Sequence, residues 1–122
     1  LGMQMMTRGS EESDLPGLGW VRAETLRFPD MADIRVPHMG WNTIEAAPQA
    51  KLFDQATNEP DRFYFVHSYY VRTDERALTA AHCRYGLEFA ASLEAENLFG
   101  VQFHPEKSHL FGMKLLHRFA AL

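Results

Sequence analysis

Apolar side chains recur along this chain with a changing period, and each change predicts a different element. At the start, Leu1, Met3, Met5 and Met6 form a mixed pattern that fits the first turns of a helix running into Arg8-Gly9-Ser10. The acidic stretch Glu11-Glu12-Ser13-Asp14 and the breakers Pro16, Gly17 and Gly19 then make residues 9–19 a loop. From Trp20 to Phe28 the alternation is imperfect but strand-like, until Pro29-Asp30 turns the chain. Pro37 has no N–H for a sheet ladder, so Arg35–Asn42 is expected as an edge strand or an extended loop. A short helix is expected over Pro48–Ala56, with Leu52 and Phe53 facing inward.

The stretch Arg62–Val71 is rich in aromatic and branched residues, lacks Gly and Pro, and predicts one long strand. Further strands are expected at Leu78–Cys83, Glu88–Leu93 and Leu98–Phe103. The turns Tyr85-Gly86 and Ala95-Glu96-Asn97 separate them, and spacing this close predicts antiparallel neighbours. After Glu106 the period becomes helical: Leu110, Phe111, Met113, Leu115, Leu116 and Phe119 form the apolar set. Lys114, His117 and Arg118 occupy the last turns, and Ser108 stands where an N-cap is expected.

Composition narrows the function classes. A chain of 122 residues, 46% hydrophobic and 23% charged, is sized for one folded domain and argues against disorder. A net charge of -4 with scattered Lys and Arg gives no footprint for a polyanion, so nucleic acid is not an expected partner. The apolar runs fall well short of the roughly 20 residues that cross a bilayer, so no membrane span is expected. A single cysteine, Cys83, forms no internal disulfide, which fits a reducing compartment such as the cytoplasm.

The densest chemistry lies in Gly100-Val101-Gln102-Phe103-His104-Pro105-Glu106-Lys107-Ser108, where an apolar run ends in a histidine and a carboxylate. On an extended backbone this spacing puts both side chains on one side, where a carboxylate can fix the imidazole tautomer and raise its basicity. That makes His104 a candidate general base and Glu106 its orienter. The same residues also fit a strand-end histidine and a solvated carboxylate near a helix start. A nucleophile is less evident. Cys83 is the only thiol, but Ala80-Ala81-His82-Cys83-Arg84-Tyr85 reads as mid-strand rather than as a helix N-terminus, so a buried structural cysteine is expected. The remaining histidines lack the paired spacing of a zinc site, and no metal is expected.

Leu1-Gly2-Met3-Gln4, Val36-Pro37-His38-Met39-Gly40-Trp41-Asn42, Tyr64-Phe65-Val66-His67-Ser68-Tyr69-Tyr70 and the Gly100–Ser108 run together resemble a class I (triad) glutamine amidotransferase. The Pro-His-Met-Gly-Trp-Asn run narrows the likeness to the glutaminase subunit of imidazole glycerol phosphate synthase. The resemblance covers the whole chain in order. It implies an α/β fold, the C-terminal part of a flavodoxin-like three-layer domain, with a largely parallel sheet and an antiparallel strand extension. Residues 1–122 would then be a partial amidotransferase domain whose nucleophilic cysteine stands immediately before Leu1.

The resemblance carries over His104 as base, Glu106 as orienter and the Leu1 backbone N–H as an oxyanion donor. It also assigns Gln4, Ser68 and Tyr69 as contacts for the substrate glutamine. It implies no cofactor, and a (β/α)₈-barrel cyclase partner that receives ammonia, with Trp41, Asn42, Tyr64 and Lys107 near that partner. Trp41 and Tyr64 equally fit core positions. The expected activity is glutamine hydrolysis by the full-length parent, with the 122-residue chain inactive alone. The alternatives are a non-catalytic fragment or partner-binding module, and the glutaminase of a different triad synthase.

Overall fold

A computed structural model of the chain describes residues 1–56 and 59–122. Its elements run α1 (Gly2–Met5), β1 (Gly9–Ser10), β2 (Ser13–Pro16), β3 (Glu24–Arg27), β4 (His38–Thr43), β5 (Glu45–Ala46), β6 (Arg62–His67) and β7 (Tyr69–Arg72). A 3₁₀ turn (Arg76–Leu78), β8 (Thr79–Tyr85), β9 (Leu87–Ala95), β10 (Leu98–Val101), a second 3₁₀ turn (Pro105–Lys107) and α2 (His109–Ala120) complete the chain.

The larger sheet runs β2-β1-β3-β7-β9-β8-β5, and β10 adds to the far part of β9. β4 and β6 pair separately as a two-stranded ribbon. The α/β class therefore holds, but the sheet is mostly antiparallel, and among the described residues the parallel contact is Ser10 opposite Thr25. The cause is connection length. β8, β9 and β10 are joined by tight turns at Gly86 and Glu96, both at positive φ, and a parallel return needs a crossover of a dozen residues or more.

Four sequence expectations change. The long strand over Arg62–Val71 breaks at Ser68 and becomes β6 in the ribbon and β7 in the large sheet. No local alternation signals this break, because both pieces keep the same strand-forming composition. The helix expected over Pro48–Ala56 is absent. The Glu94 carboxylate accepts the backbone N–H groups of Lys51 at 2.8 Å and Leu52 at 3.2 Å, binding this segment as a loop while Leu52 and Phe53 still bury their side chains. The strand expected over Trp20–Phe28 shrinks to Glu24–Arg27, and the loop over 9–19 holds the short pair β1 and β2.

The core is aromatic. Phe28, Phe63, Phe65, Phe89 and Phe103 are buried together, with Phe63 stacked on Phe103 at 3.9 Å between ring centroids. A second cluster joins Met3 of α1 and Met6 just after it to Val71, Ala90 and Leu93 of the large sheet. Gly100 makes this packing feasible, because a Cβ there would come within 2.8 Å of the Met3 side chain. α1 thus lies against β10, which brings the first residues close to the end of the His104 motif. On α2 only Gly112 and Leu115 are buried, and Leu110, Met113, Leu116 and Phe119 leave an apolar face open.

Candidate active site

His104 sits where β10 has ended and the second 3₁₀ turn begins, with an extended backbone. Its position is fixed from three directions. The His104 N–H donates to Tyr64 O at 2.9 Å, the Ser108 hydroxyl donates to His104 O at 2.6 Å, and the Lys107 N–H reaches the same carbonyl at 3.0 Å. Ser108 in turn accepts the Tyr64 N–H at 2.9 Å. Ser108 therefore occupies the N-cap position of α2 without capping it, and its buried hydroxyl ties the His104 turn to β6 instead. α2 closes on the same turn through Gly112, where a Cβ would come within 1.9 Å of Pro105 O.

His104 Nδ1 lies 2.8 Å from Glu106 Oε1. Glu106 belongs to the 3₁₀ turn, so the pairing comes from the turn rather than from the extended geometry that the spacing implied. Its own backbone N–H and the His104 bond hold the Glu106 carboxyl below the usual carboxylate range. An ionised carboxylate accepts, so Nδ1 carries the proton and Nε2 is left as the basic nitrogen.

His104 lines an open cavity of about 400 Å³ together with Leu1, Gln4, His67, Ser68, Tyr69 and Gln102, among others. Residues scattered through the sequence converge here because β6 breaks at Ser68 and α1 packs on β10. Gln4 Nε2 donates to Tyr69 O and to Gln102 Oε1, each at 3.0 Å, joining the α1 wall to the Ser68–Tyr69 wall. Gln102 and His67 were not singled out from the sequence. Gln102 lay inside the His104 motif and His67 directly before Ser68, but nothing in their spacing aimed either side chain at a cavity.

Cys83 is elsewhere. It is buried in β8 within the aromatic core, and burial pushes its thiol up to about 12, so it supplies no thiolate near neutral pH. Among the described residues no cluster of His, Cys, Asp and Glu gathers as a metal site, and no helix is long and apolar enough to cross a membrane.

Trp41, Tyr64 and Lys107 form one surface group. Trp41 is exposed, meets the Tyr64 ring edge-on at 6.2 Å and stacks on His109 at 5.7 Å, while Lys107 Nζ lies 6.0 Å from the Tyr64 ring. Asn42 faces the opposite side of β4. Its amide donates to Arg84 O at 3.0 Å and meets His38 Nε2 at 3.2 Å.

Residues 1–121 match the family described as glutamine amidotransferase class-I. The chain belongs to the class-I glutamine amidotransferase family. It is similar to imidazole glycerol phosphate synthase subunit HisH 2 of Methanococcus maripaludis, 45% identical over 119 residues, which are 98% of this chain and 58% of that protein. It is likewise similar to subunit HisH 2 of Pseudomonas aeruginosa, 45% identical over 122 residues, 100% of this chain and 60% of that protein. Subunit HisH of Acinetobacter baylyi is 44% identical over 120 residues, 98% of this chain and 58% of its own length. This amidotransferase chain thus spans about 60% of the length of these curated relatives.

Proposed function

We propose that the protein carrying this chain is the glutamine-hydrolysing subunit of an imidazole glycerol phosphate synthase. The observation that carries the reading is the His104–Glu106 hydrogen bond at the edge of a cavity also lined by Leu1, Gln4, Ser68 and Tyr69. The names of the similar proteins support the same choice.

In this reading a thiol immediately before Leu1 gives its proton to His104 Nε2 and attacks the side-chain carbonyl carbon of glutamine. The Leu1 amide donates to the developing oxyanion, while Gln4, Ser68 and Tyr69 hold the substrate. His104 returns the proton to the departing nitrogen, and ammonia leaves. It then takes a proton from water, whose oxygen attacks the thioester, releasing glutamate and the thiol. Glu106 holds the imidazole in the tautomer that both steps need. Ammonia passes to a (β/α)₈-barrel cyclase, docked over the face that bears Trp41, Tyr64 and Lys107, with Asn42 supporting that face from behind. The partners form a heterodimer in the cytoplasm, and residues 1–122 are the part of the domain that holds base, orienter and substrate walls.

The test is glutamate formation from glutamine by the full-length protein, with and without the cyclase. The expected result is hydrolysis that rises when the cyclase is supplied, and none from the isolated 122 residues, whose one thiol is buried. Hydrolysis indifferent to this cyclase but stimulated by another synthase would move the protein to a different triad amidotransferase. No hydrolysis under any condition would leave a partner-binding role.

A further inference from the structure

A second pair of histidines lies behind the cavity wall. In the β4–β6 ribbon His38 stands directly opposite His67, and the rings meet with His38 Nδ1 at 2.9 Å from His67 Nε2. His67 Nδ1 lies 2.8 Å from Tyr69 O, and His38 Nε2 lies 3.2 Å from Asn42 Nδ2.

These contacts fix the direction of every proton. Tyr69 O is a carbonyl and only accepts, so His67 carries hydrogen on Nδ1. A neutral His67 then accepts at Nε2, so His38 donates from Nδ1. That leaves His38 Nε2 as acceptor for the Asn42 amide. The chain reads Asn42 to His38 to His67 to the Tyr69 carbonyl, one hydrogen per link. Tyr69 O also takes the Gln4 bond at 3.0 Å, so it is clamped from two sides.

The surroundings hold the rings in this arrangement. His38 is sandwiched between Phe65 at 4.8 Å and Tyr85 at 4.1 Å, and His67 meets the edge of Phe89 at 5.0 Å. A buried imidazole with an unpaired nitrogen would be costly, and here both nitrogens of both rings are engaged.

We propose that His38 is a positioning residue for the substrate pocket: it occupies His67 Nε2 with a hydrogen bond and so keeps His67 donating to the Tyr69 carbonyl. It touches no reacting atom. Strand β4, with Trp41 on its outer face, thereby becomes part of the support of the Ser68–Tyr69 wall. The inference rests on the glutamine-pocket reading for its kinetic consequence, but not for the hydrogen-bond order.

The experiment uses the full-length protein with its cyclase. Imidazole nitrogen NMR of the unmutated protein reads the tautomers directly: hydrogen is expected on Nδ1 of both His38 and His67, and hydrogen on His67 Nε2 would overturn the proposal. Next, His38→Phe fills the ring's space without a donor, and His38→Asn places an amide donor near the Nδ1 position. His38→Phe is expected to raise the KM for glutamine roughly tenfold with kcat within about threefold, and His38→Asn to recover most of the KM. An unchanged KM in His38→Phe, or equal losses in both variants, overturns the proposal. If His38→Phe fails to fold, the tautomer measurement and His38→Asn decide alone, an Nδ1-protonated His67 with a near-normal KM supporting the proposal. If the unmutated protein hydrolyses no glutamine, the functional reading fails, while the NMR result still settles the hydrogen-bond order.

Discussion

The molecule makes the same hydrogen bond, an imidazole nitrogen to a neighbour, in two places, and the two sites behave as opposites. At His104 the ring is about one third exposed and the partner is a carboxylate, 2.8 Å away. At His38 and His67 the rings are 2% and 7% exposed, and their partners are each other, an amide and a carbonyl. Burial is the larger cause at both inner rings, pulling His38 and His67 down to about 4. Neutral partners around a dry ring disfavour its charged form, whereas the His104 ring meets solvent and a carboxylate. The contrast separates a ring open to proton transfer from rings packed into the interior.

The most direct way to break that contrast is to remove the His104 imidazole, the base of the proposed mechanism. His104→Ala in the full-length protein is expected to lower kcat for glutamine hydrolysis by on the order of 10²–10⁴-fold. Stability should hardly change, since the side chain is partly exposed. Glu106→Gln should cost less, about 10- to 100-fold, because one charge-assisted hydrogen bond is replaced by a neutral one. Steady-state kinetics of both variants, with thermal unfolding as control, checks the ranking. A Glu106→Gln loss as large as that of His104→Ala would mean the carboxylate does more than orient.

The buried pair answers to pH rather than to catalysis. In the folded state His38 and His67 titrate near 4, against an ordinary value of 6.5 that the unfolded chain regains. Between those values the unfolded chain binds more protons, so stability rises with pH across this window. The contribution is fully present above about pH 6.5 and is lost as pH falls toward 4. Denaturant titrations at pH 7 and pH 4.5 should differ by a few kcal/mol, on the order of 1.4 kcal/mol per unit per group at most. His38→Asn should flatten the slope.

Two uncharged residues tie the partly exposed histidine in place. Gly112→Ala drives a methyl into Pro105 O, and overpacking of this kind costs about 1–3 kcal/mol. Ser108→Ala removes the hydroxyl that bridges His104 O and Tyr64 N, taking the partner from the part-buried Tyr64 N–H at a cost of about 1–3 kcal/mol, while His104 O keeps the Lys107 N–H. Both variants should also lower kcat, because each releases the turn that sets the His104–Glu106 distance. Ser10→Ala, which removes a β1 hydroxyl that accepts the exposed Glu12 N–H, should do neither.

Much of the exposed site could be read in the sequence, and little of the buried one. His104 and Glu106 belong to one short motif, so their chemistry is local. Strands β8, β9 and β10 and helix α2 were equally legible, because composition and turn residues mark them. The break at Ser68 was not, since it depends on which sheet each half joins. His38 and His67 pair only through the β4–β6 register, a contact between distant segments. The resemblance placed Asn42 near the partner, while its contact with His38 follows from the alternation of β4, which no local motif announces. The Pro48–Ala56 helix failed because Glu94, far along the chain, offered the backbone better partners than a helix could.

The smallest expected effect tests burial itself as the silencing agent. Cys83 is a strong nucleophile by type, as His38 and His67 are bases by type, and desolvation disables it in the same way, pushing its thiol up to about 12. Cys83→Ala should therefore leave glutamine hydrolysis unchanged and cost only about 1 kcal/mol of packing beside Phe89 and its neighbours. Reaction with a thiol-specific reagent at neutral pH gives the complementary readout: Cys83 should react only as fast as the protein unfolds. A fast-reacting Cys83, or a kcat that falls with Cys83→Ala, would show that a dry core residue can still do chemistry here. The distinction between His104 and the inner histidines would then rest on their partners alone.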